Sequence, residues 1–165
     1  MKLKIEIVSD KNDIIESKEV SINSKSWNKY MITFAPMQTC SKSSIRITML
    51  TTGVLDIEHI SLFPQETFNN RSNGLRKDLA MALKDLKPGV FRFPGGCMLH
   101  GDGLDNIYNW KETIGPLQDR KPERNIWNYH QSRGLGYYEY FQFCEDIGAE
   151  PLPVMAAGVP CQNSS

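Results

Sequence analysis

The chain has 165 residues, of which 40% are hydrophobic and 23% charged, so it can bury a core and does not have the composition of a disordered protein. Its 19 basic residues balance 19 acidic ones, which argues against a nucleic-acid-binding protein, because phosphate contacts need a basic excess. No apolar run approaches the roughly 18 residues of a membrane span. The N-terminal MKLKIEIVSDKND alternates instead of forming the apolar block of a signal peptide.

The first 64 residues carry the alternating apolar and polar residues of β-strands. The pattern is present in LKIEIVS, KYMITFAP, SIRITML and VLDIEHISLF, with turn-like segments such as residues 9–12 and 41–44 between them. Five short strands at a spacing of roughly 10–12 residues predict a β-sandwich that ends at residues 62–64.

After this point helices alternate with short apolar strands. A polar linker, residues 65–73, precedes NGLRKDLAMALKDL, whose leucines recur at helical spacing and whose N-terminal cap is expected at Ser72 or Asn73. KPG ends this helix, and the strand GVFRF follows. After a long loop, LGYYEYFQFCEDIG predicts a second helix that Gly148 caps, and PLPVMAAG predicts a strand. This order predicts parallel β/α units over residues 65–165.

The second helix is amphipathic, and one of its sides should face the core of the domain. The residues expected on this inner side are Tyr137, Tyr140, Phe141, Cys144 and Ile147. The strands on either side are apolar throughout, as is usual for parallel strands that are covered on both faces.

The residues with the clearest chemical meaning stand at the end of the strand GVFRF. Working groups of β/α folds lie at the carboxyl ends of the strands, and Arg92 is one residue before such an end. Pro94 cannot continue the ladder, and Gly95-Gly96 allows the backbone to turn sharply and approach a ligand. The guanidinium needs an anionic partner. This is either a carboxylate in a pocket or an acid on a neighbouring strand, and the motif leaves both open.

The loop over residues 97–134 is too long for a plain crossover. Its aromatic and imidazole side chains are Tyr108, Trp110, Trp127, Tyr129 and His130. Aromatic faces of this kind stack on sugar rings, but long loops also use them as a small core of their own, and composition alone favours packing.

Metal, phosphate and disulfide chemistry have little support in the sequence. The spacing of His100, Asp102 and Asp105 fits no standard metal site, so no metal is expected. The Pro-Gly-Gly turn lacks the phosphate-loop motif, and no helix is expected directly behind it. The four cysteines form no C-x-x-C pair, and we expect most of them to be small buried hydrophobic residues.

Four runs of the chain carry a family resemblance: HISLFPQETFNNRSNGLRKDL, LRKDLAMALKDLKPGVFRFPGGCMLHGD, NWKETIGPLQDRKPERN, and WNY with GLGYYEYFQFCEDIGAEPLPVMAAG. Over residues 56–162 the chain closely resembles the α-L-arabinofuranosidases of glycoside hydrolase family 51, and residues 1–55 match more loosely. The resemblance implies a mixed fold. Residues 1–64 would form a partial β-sandwich, carbohydrate-binding-like and of jelly-roll type, and residues 65–165 the first β/α units of a (β/α)8 TIM barrel.

The resemblance also implies retaining hydrolysis of terminal arabinofuranosyl residues from plant polysaccharides, by two glutamates roughly 5–5.5 Å apart and without a metal or organic cofactor. The family's acid/base glutamate follows an asparagine, and this chain contains no Asn-Glu dipeptide. Both catalytic glutamates are therefore expected outside the chain, which should be inactive by itself. A secreted or periplasmic location and a homo-oligomeric parent protein stay open. Neither a nucleic acid nor a membrane is expected as a partner.

The resemblance gives roles to a few residues of the chain. Arg92 matches the arginine that contacts the nucleophilic glutamate and the substrate pocket. Cys97 matches a position that touches the sugar, which is asparagine in many members and cysteine in another branch. Trp127 aligns with a tryptophan that lines the arabinose site, and Gly95 and Gly96 shape the turn.

Two other interpretations stay open. The chain is either a non-catalytic carbohydrate-binding module or a truncated remnant without a sugar role. Against the binding module, the first half has one tryptophan, Trp27, with Tyr30 and Phe34 nearby, and alternation along a strand would bury some of them. A barrel with few of its strands has open edges, so we also expect the second half, in isolation, to fold poorly or to oligomerise.

Overall fold

The computed structural model describes residues 1–161, and the end of the predicted second domain, residues 162–165, lies outside the described part. The chain folds into two compact units, Met1–Ile57 and a second unit that begins at Glu58. The assignment of residues 1–64 to a partial sandwich and of residues 65–165 to a partial barrel stays a prediction.

The first unit is built on an antiparallel sheet of three strands with β1 in the centre. The strands are β1 (Lys2–Ser9), β2 (Ile14–Ser21) and β3 (Ser43–Met49). Leu3 and Val8 of β1 are buried, and so is the charged Glu6. The Glu6 carboxylate lies 3.1 Å from Lys4 Nζ and 3.9 Å from Arg46 Nη1, because a buried charge needs partners of opposite sign.

Two of the strands predicted for this region are wrong. Residues 29–36 (KYMITFAP) and 54–63 (VLDIEHISLF) join no strand ladder, and several of their apolar side chains, Met31 among them, are exposed. Alternation makes a segment amphipathic, but a strand also needs a neighbouring strand to receive its backbone hydrogen bonds. β2 (Ile14–Ser21) was missed because its sequence, IIESKEVS, is largely polar and lies mostly exposed.

The second unit contains a parallel pair of strands joined through a helix. Its elements are α1 (Lys77–Asp85), β4 (Val90–Phe93), α2 (Cys97–His100), β5 (Glu123–Arg124), β6 (His130–Gln131), α3 (Tyr137–Ile147) and β7 (Glu150–Pro153). β4 pairs in parallel with β7, and β5 forms a short antiparallel hairpin with β6. The predicted parallel β/α arrangement of these two strands is confirmed. In the described part of this unit, short 3₁₀ helices lie at Phe68–Asn70, Leu104–Asn106, Trp110–Thr113 and Leu117–Asp119.

Helix α3 covers one face of β4 with aromatic side chains. Phe93 stacks on Tyr140 with ring centroids 4.9 Å apart, and Phe91 meets Phe143 edge-on at 5.4 Å. Such pairs add about 0.5–1.5 kcal/mol each beyond the area that they bury. Phe143 also packs against Phe68, so α3 contacts two clusters and its inner side is wider than predicted.

This wider contact changes which residues of α3 are inside. Tyr137 and Cys144 are buried as predicted, but Phe141 is exposed and the unpredicted Phe143 is buried. Burial raises the pKa of the Cys144 thiol and raises the pKa of the Tyr140 phenol to about 12, so both groups stay neutral in the core.

The start of α1 differs from the prediction, whereas the end of α3 agrees with it. α1 begins at Lys77 without a side-chain cap, so neither Ser72 nor Asn73 caps it. Thr67 and Arg76 form an isolated antiparallel bridge, which keeps the chain extended up to the first turn of the helix. At the other helix, Gly148 is in the left-handed conformation with φ 74° and ends α3 as predicted.

The ion pair of Arg71 and Asp146 attaches α3 to the segment before α1. Arg71 donates to both Asp146 oxygens, at 3.2 and 2.7 Å. The hydrogen bond from Arg71 lowers the pKa of the Asp146 carboxyl below its ordinary value of 3.8. Because the folded pKa is the lower one, the stabilisation is complete above the unfolded pKa and is lost as the pH falls through the folded pKa.

We therefore expect the urea midpoint of the wild-type chain to fall more steeply below about pH 4 than that of Asp146→Asn. The measurement is a series of urea unfolding curves at stepwise lower pH. The exposed Glu145→Gln on the same helix is the control, and its pH dependence should follow the wild type. If the urea midpoints of the wild type and of Asp146→Asn fell equally steeply with pH, the ion pair of Arg71 and Asp146 would not be the source of the acid sensitivity.

Candidate functional site

The candidate site begins at the carboxyl end of β4, where the chain leaves the sheet. The Phe93–Pro94 peptide bond is cis, and Val154 N donates to Phe93 O at 2.8 Å just beyond the strand pair. Helix α2 starts at Cys97, immediately after Gly96, so the expectation that no helix follows this turn was wrong. α2 is a single turn of four residues, which gives it no appreciable dipole for an anion.

Arg92 is exposed on the face of the strand pair that α3 does not cover. Phe91 and Phe93 alternate with it and point toward α3, and Leu152 of β7 is its partner in register. A methyl group added to Gly96 would lie 3.6 Å from Arg92 Nη2, so the guanidinium lies over the Pro-Gly-Gly turn. Within residues 1–161 no carboxylate forms an ion pair with Arg92, so the structural alternative of a pair on a neighbouring strand is not found there.

Cys97 is half-buried at the start of α2, and its thiol contacts that of Cys161. The hydrogen bond with Cys161 raises the pKa of the Cys97 thiol above its ordinary value. Cys161 is buried, as is Cys144, while Cys40 and Cys97 are partly exposed, so half of the cysteines fit the predicted role of buried hydrophobic residues.

The long loop after α2 is organised around two buried arginines that the sequence analysis did not identify. The first, Arg120, donates two hydrogen bonds to the Glu139 carboxylate, at 2.7 and 2.9 Å. It donates further to the carbonyl oxygens of Gly115 and Arg133. The loop therefore closes onto the first turn of α3, to which Glu139 belongs.

The second arginine, Arg133, lies between the carboxylates of Glu112, at 2.5 Å, and Glu123. It also lies over the ring of Tyr108, 5.5 Å from the centroid. Burial acts to lower the pKa of Arg133, but the hydrogen bonds to the two glutamates outweigh it, so the pKa is raised. The same contact lowers the pKa of Glu112. No spacing in the sequence indicates this contact, since Glu112 and Arg133 are 21 residues apart.

The loop aromatics divide between the two roles that their composition left open. Tyr108 is buried against Tyr137, and Trp110 packs on the same core. Trp127 and Tyr129 instead lie exposed at 53% and 56% on the turn between β5 and β6. Their rings are nearly parallel, 14° apart with centroids at 6.2 Å. We call these two residues the aromatic pair.

The backbone under the aromatic pair is fixed by the buried Asn125. Its side-chain oxygen accepts from Trp127 N at 3.0 Å and from Tyr129 N at 3.3 Å, while its Nδ2 is buried without a hydrogen-bond partner among residues 1–161. The two rings are therefore presented by an ordered turn instead of a loose loop.

Asn106 links this hairpin to the turn that carries Cys97. Its Nδ2 donates to Arg124 O and, at 3.3 Å, to Glu123 Oε1. A Cβ at Gly101 would come within 2.1 Å of Asn106 O, so glycine is required for this approach. The predicted site residues at the end of β4 and the hairpin with Trp127 thus belong to one hydrogen-bonded framework.

Neither a metal cluster nor a membrane helix is found in the part of the chain that the structure describes. No three His, Cys, Asp or Glu side chains of residues 1–161 are placed to hold a metal ion. His100, whose spacing from Asp102 and Asp105 fits no standard metal site, has its Nδ1 2.7 Å from Val159 O. No helix within the same residues is long and apolar enough to cross a bilayer.

Comparison with known proteins identifies the family. The family model described as the alpha-L-arabinofuranosidase 1 domain matches residues 82–165, half of the chain. The chain belongs to the α-L-arabinofuranosidases of glycoside hydrolase family 51.

Individual relatives show how much of such an enzyme this chain represents. The extracellular exo-α-L-arabinofuranosidase of Streptomyces chartreusis is 44% identical, and the match covers 79% of this chain but 17% of the relative. α-L-Arabinofuranosidase 1 of Arabidopsis thaliana is 36% identical over 81% of this chain and 20% of its own length. The arabinose-bound structure of the MgGH51 α-L-arabinofuranosidase superposes with a TM-score of 0.74 at 25% identity, covering 99% of this chain and 27% of that one. The chain spans about a fifth of the length of these curated relatives.

Proposed function

We propose that the chain is a fragment of a retaining α-L-arabinofuranosidase that removes terminal arabinofuranosyl residues from plant polysaccharides such as arabinoxylan or arabinan. The observation that carries this proposal is Arg92, a cation without a carboxylate partner in residues 1–161, exposed at the end of a parallel strand in a chain of this family. By analogy with the extracellular Streptomyces relative, the parent protein is secreted.

The uncovered face of the β4–β7 pair supports a place inside a barrel. Parallel sheets are normally covered on both faces, and here α3 covers only one of them. Val90 and Leu152 lie about half exposed on the other face, beside Arg92. In a (β/α)8 barrel this face lines the interior, and its carboxyl-end residues reach the active site. We assign residues 65–165 to the first units of such a barrel and residues 1–64 to a partial carbohydrate-binding-like sandwich.

In this arrangement Arg92 keeps a glutamate nucleophile ionised, because a nearby guanidinium favours the charged form of a carboxylate. Gly95 and Gly96 have no side chains, so the backbone can approach the sugar closely. The Cys97 thiol then reaches a hydroxyl group of the sugar. The aromatic pair offers Trp127 as an apolar face for the sugar ring. The two-carboxylate mechanism of such enzymes needs neither a metal nor an organic cofactor.

The glutamates that contact the two buried arginines do not have the environment of a general acid. Glu112, Glu123 and Glu139 all form ion pairs with arginine, and the pKa of Glu112 is lowered. A general acid for glycoside hydrolysis needs a raised pKa instead. We therefore place both catalytic glutamates outside this chain.

The test compares hydrolysis of an aryl α-L-arabinofuranoside by purified residues 1–165 and by the full product of the parent gene. We expect none from the chain and measurable turnover from the parent protein. Arg92→Ala in the parent should lower kcat/KM at least tenfold, about 1.4 kcal/mol. The exposed Arg76→Ala is the matched control and should leave it unchanged.

Each part of the proposal has its own contradicting result. Turnover by residues 1–165 would place the catalytic groups within the chain, and an inactive, folded parent protein would refute the hydrolase assignment. If that inactive protein were retarded by arabinoxylan in affinity electrophoresis, and Trp127→Ala but not Trp27→Ala abolished the retardation, the chain would be a carbohydrate-binding module. The exposed aromatic pair is the observation that favours this second function.

A further inference from the structure

Two cysteines that are far apart in the sequence meet at the carboxyl end of β4. We propose that Cys97 and Cys161 are a redox-active pair that forms a reversible disulfide with a small disulfide as oxidant. The Cys97 side chain interacts with that of Cys161, the backbones of both residues are hydrogen-bonded to Gly101, and neither is in a disulfide within the described residues. The formation of this bond does not depend on the proposed glycosidase activity.

Backbone hydrogen bonds hold the segment of Cys161 against helix α2. Cys161 N donates to Gly101 O at 3.0 Å, and Gly101 N donates to Cys97 O at 3.0 Å. One turn away, His100 Nδ1 lies 2.7 Å from Val159 O. These contacts hold the segment of Cys161 beside the start of α2, where its thiol can interact with that of Cys97.

The other two cysteines have different surroundings. Cys144 is buried in the aromatic core under α3, and Cys40 lies in the first unit, where its thiol donates to Lys42 O at 2.8 Å. Cys97 is half-buried and so can be reached by a small reagent, whereas Cys161 is buried. This order suits a pair in which the outer thiol reacts first and the inner one resolves the product.

The reaction can be written with glutathione disulfide as the oxidant. Cys97 loses its proton, and its thiolate attacks one sulfur of glutathione disulfide, which releases one glutathione thiolate and leaves a mixed disulfide on Cys97. The Cys161 thiolate then attacks the Cys97 sulfur and releases the second glutathione thiolate. The protein pair loses two electrons and two protons, and one glutathione disulfide becomes two molecules of glutathione.

Oxidation would also change the candidate sugar site. The disulfide removes the only hydrogen that the Cys97 side chain can donate, and it fixes the residues after β7 to the Pro-Gly-Gly turn. If Cys97 touches the sugar, as the proposed function requires, the oxidised enzyme loses that contact. This consequence rests on the proposed function, whereas the disulfide itself can be tested without it.

The experiment incubates residues 1–165 with glutathione disulfide at about pH 8.5, where a larger fraction of thiol is ionised. Remaining thiols are alkylated, and digestion with mass spectrometry identifies the linked peptides. We expect the Cys97–Cys161 link to be at least tenfold more abundant than any other and to disappear on treatment with dithiothreitol. Cys40→Ser and Cys144→Ser should retain it, while Cys97→Ser and Cys161→Ser should lose it.

Two results would overturn the proposal. One is a glutathione adduct that stays on Cys97 without closing onto Cys161, and the other is a predominant link through Cys40 or Cys144. Both are read from the wild-type chain, with circular dichroism to show that it is folded, so neither depends on the folding of a variant.

Discussion

Replacing Arg120 by alanine is expected to lower the free energy of unfolding by about 3–5 kcal/mol, the usual effect of breaking a buried ion pair on one side. The Arg120 side chain is 3% exposed and joins Glu139 to the carbonyl groups of the loop. Without it, the Glu139 carboxylate keeps its charge in a largely buried position, and the carbonyl oxygens of Gly115 and Arg133 lose their donor. The loop and α3 should therefore separate at lower denaturant concentration.

The measurement is urea unfolding followed by circular dichroism and tryptophan fluorescence. Arg76→Ala is the matched control, because Arg76 and Asp78 form a comparable two-bond pair with side chains 65% and 64% exposed. Solvent screens such an exposed pair, so Arg76→Ala should leave the free energy of unfolding nearly unchanged. Arg120→Ala and Arg76→Ala with the same free energy of unfolding would show that the buried pair does not hold the loop.

A second large effect is expected from Gly136→Ala, at about 3 kcal/mol, near the upper end for overpacking a close contact. A Cβ on Gly136 would lie 1.8 Å from Thr113 O and 2.8 Å from its carbonyl carbon. These are backbone atoms, so no side-chain rotation can relieve the overlap. The φ of −111° at Gly136 is accessible to alanine, and the effect is therefore steric. The bond from Tyr137 N to Thr113 Oγ1 would also be lost.

Gly103→Ala is the control for this substitution, since a Cβ there meets no atom within 4 Å and φ is extended at 174°. It should change the free energy of unfolding by less than about 0.5 kcal/mol. Unfolding curves and near-ultraviolet circular dichroism, which reports the packing of Tyr137 and Trp110, compare the two variants. A Gly136→Ala protein with wild-type values in both measurements would rule out the close approach of α3 to Thr113.

The sequence predicts an element well when its apolar residues follow a clear period or when a local residue, such as a glycine, marks its end. β1 and β3 follow the alternation of LKIEIVS and SIRITML, and α3 ends at Gly148 as its glycine indicates. The same alternation fails in residues 29–36, because the residues alone do not say whether a strand lies alongside. The start of α1 was missed for a similar reason, since the bridge between Thr67 and Arg76 joins two positions outside the helix.

The candidate site was predicted only in part. The sequence singles out Arg92 and the glycines after it because a cation and a chain-breaking turn at a strand end have few explanations, and their role in a site stays a prediction. Arg120 and Arg133 could not be identified, because an arginine in a polar loop usually lies in solvent. Their partners, Glu139 and Glu112, are 19 and 21 residues away, and no period in the sequence connects them.

The Glu139 carboxylate accepts both from Arg120 and from the backbone N–H of Gly136, the N-cap residue just before α3. One side chain thus caps the helix and closes the loop, so the loop cannot open without freeing the helix terminus. The conformational entropy of the residues that carry Trp127 and Tyr129 is consequently lost when the unit folds. A ligand that meets these two rings finds them already ordered, and its binding free energy is not reduced by the ordering of the loop.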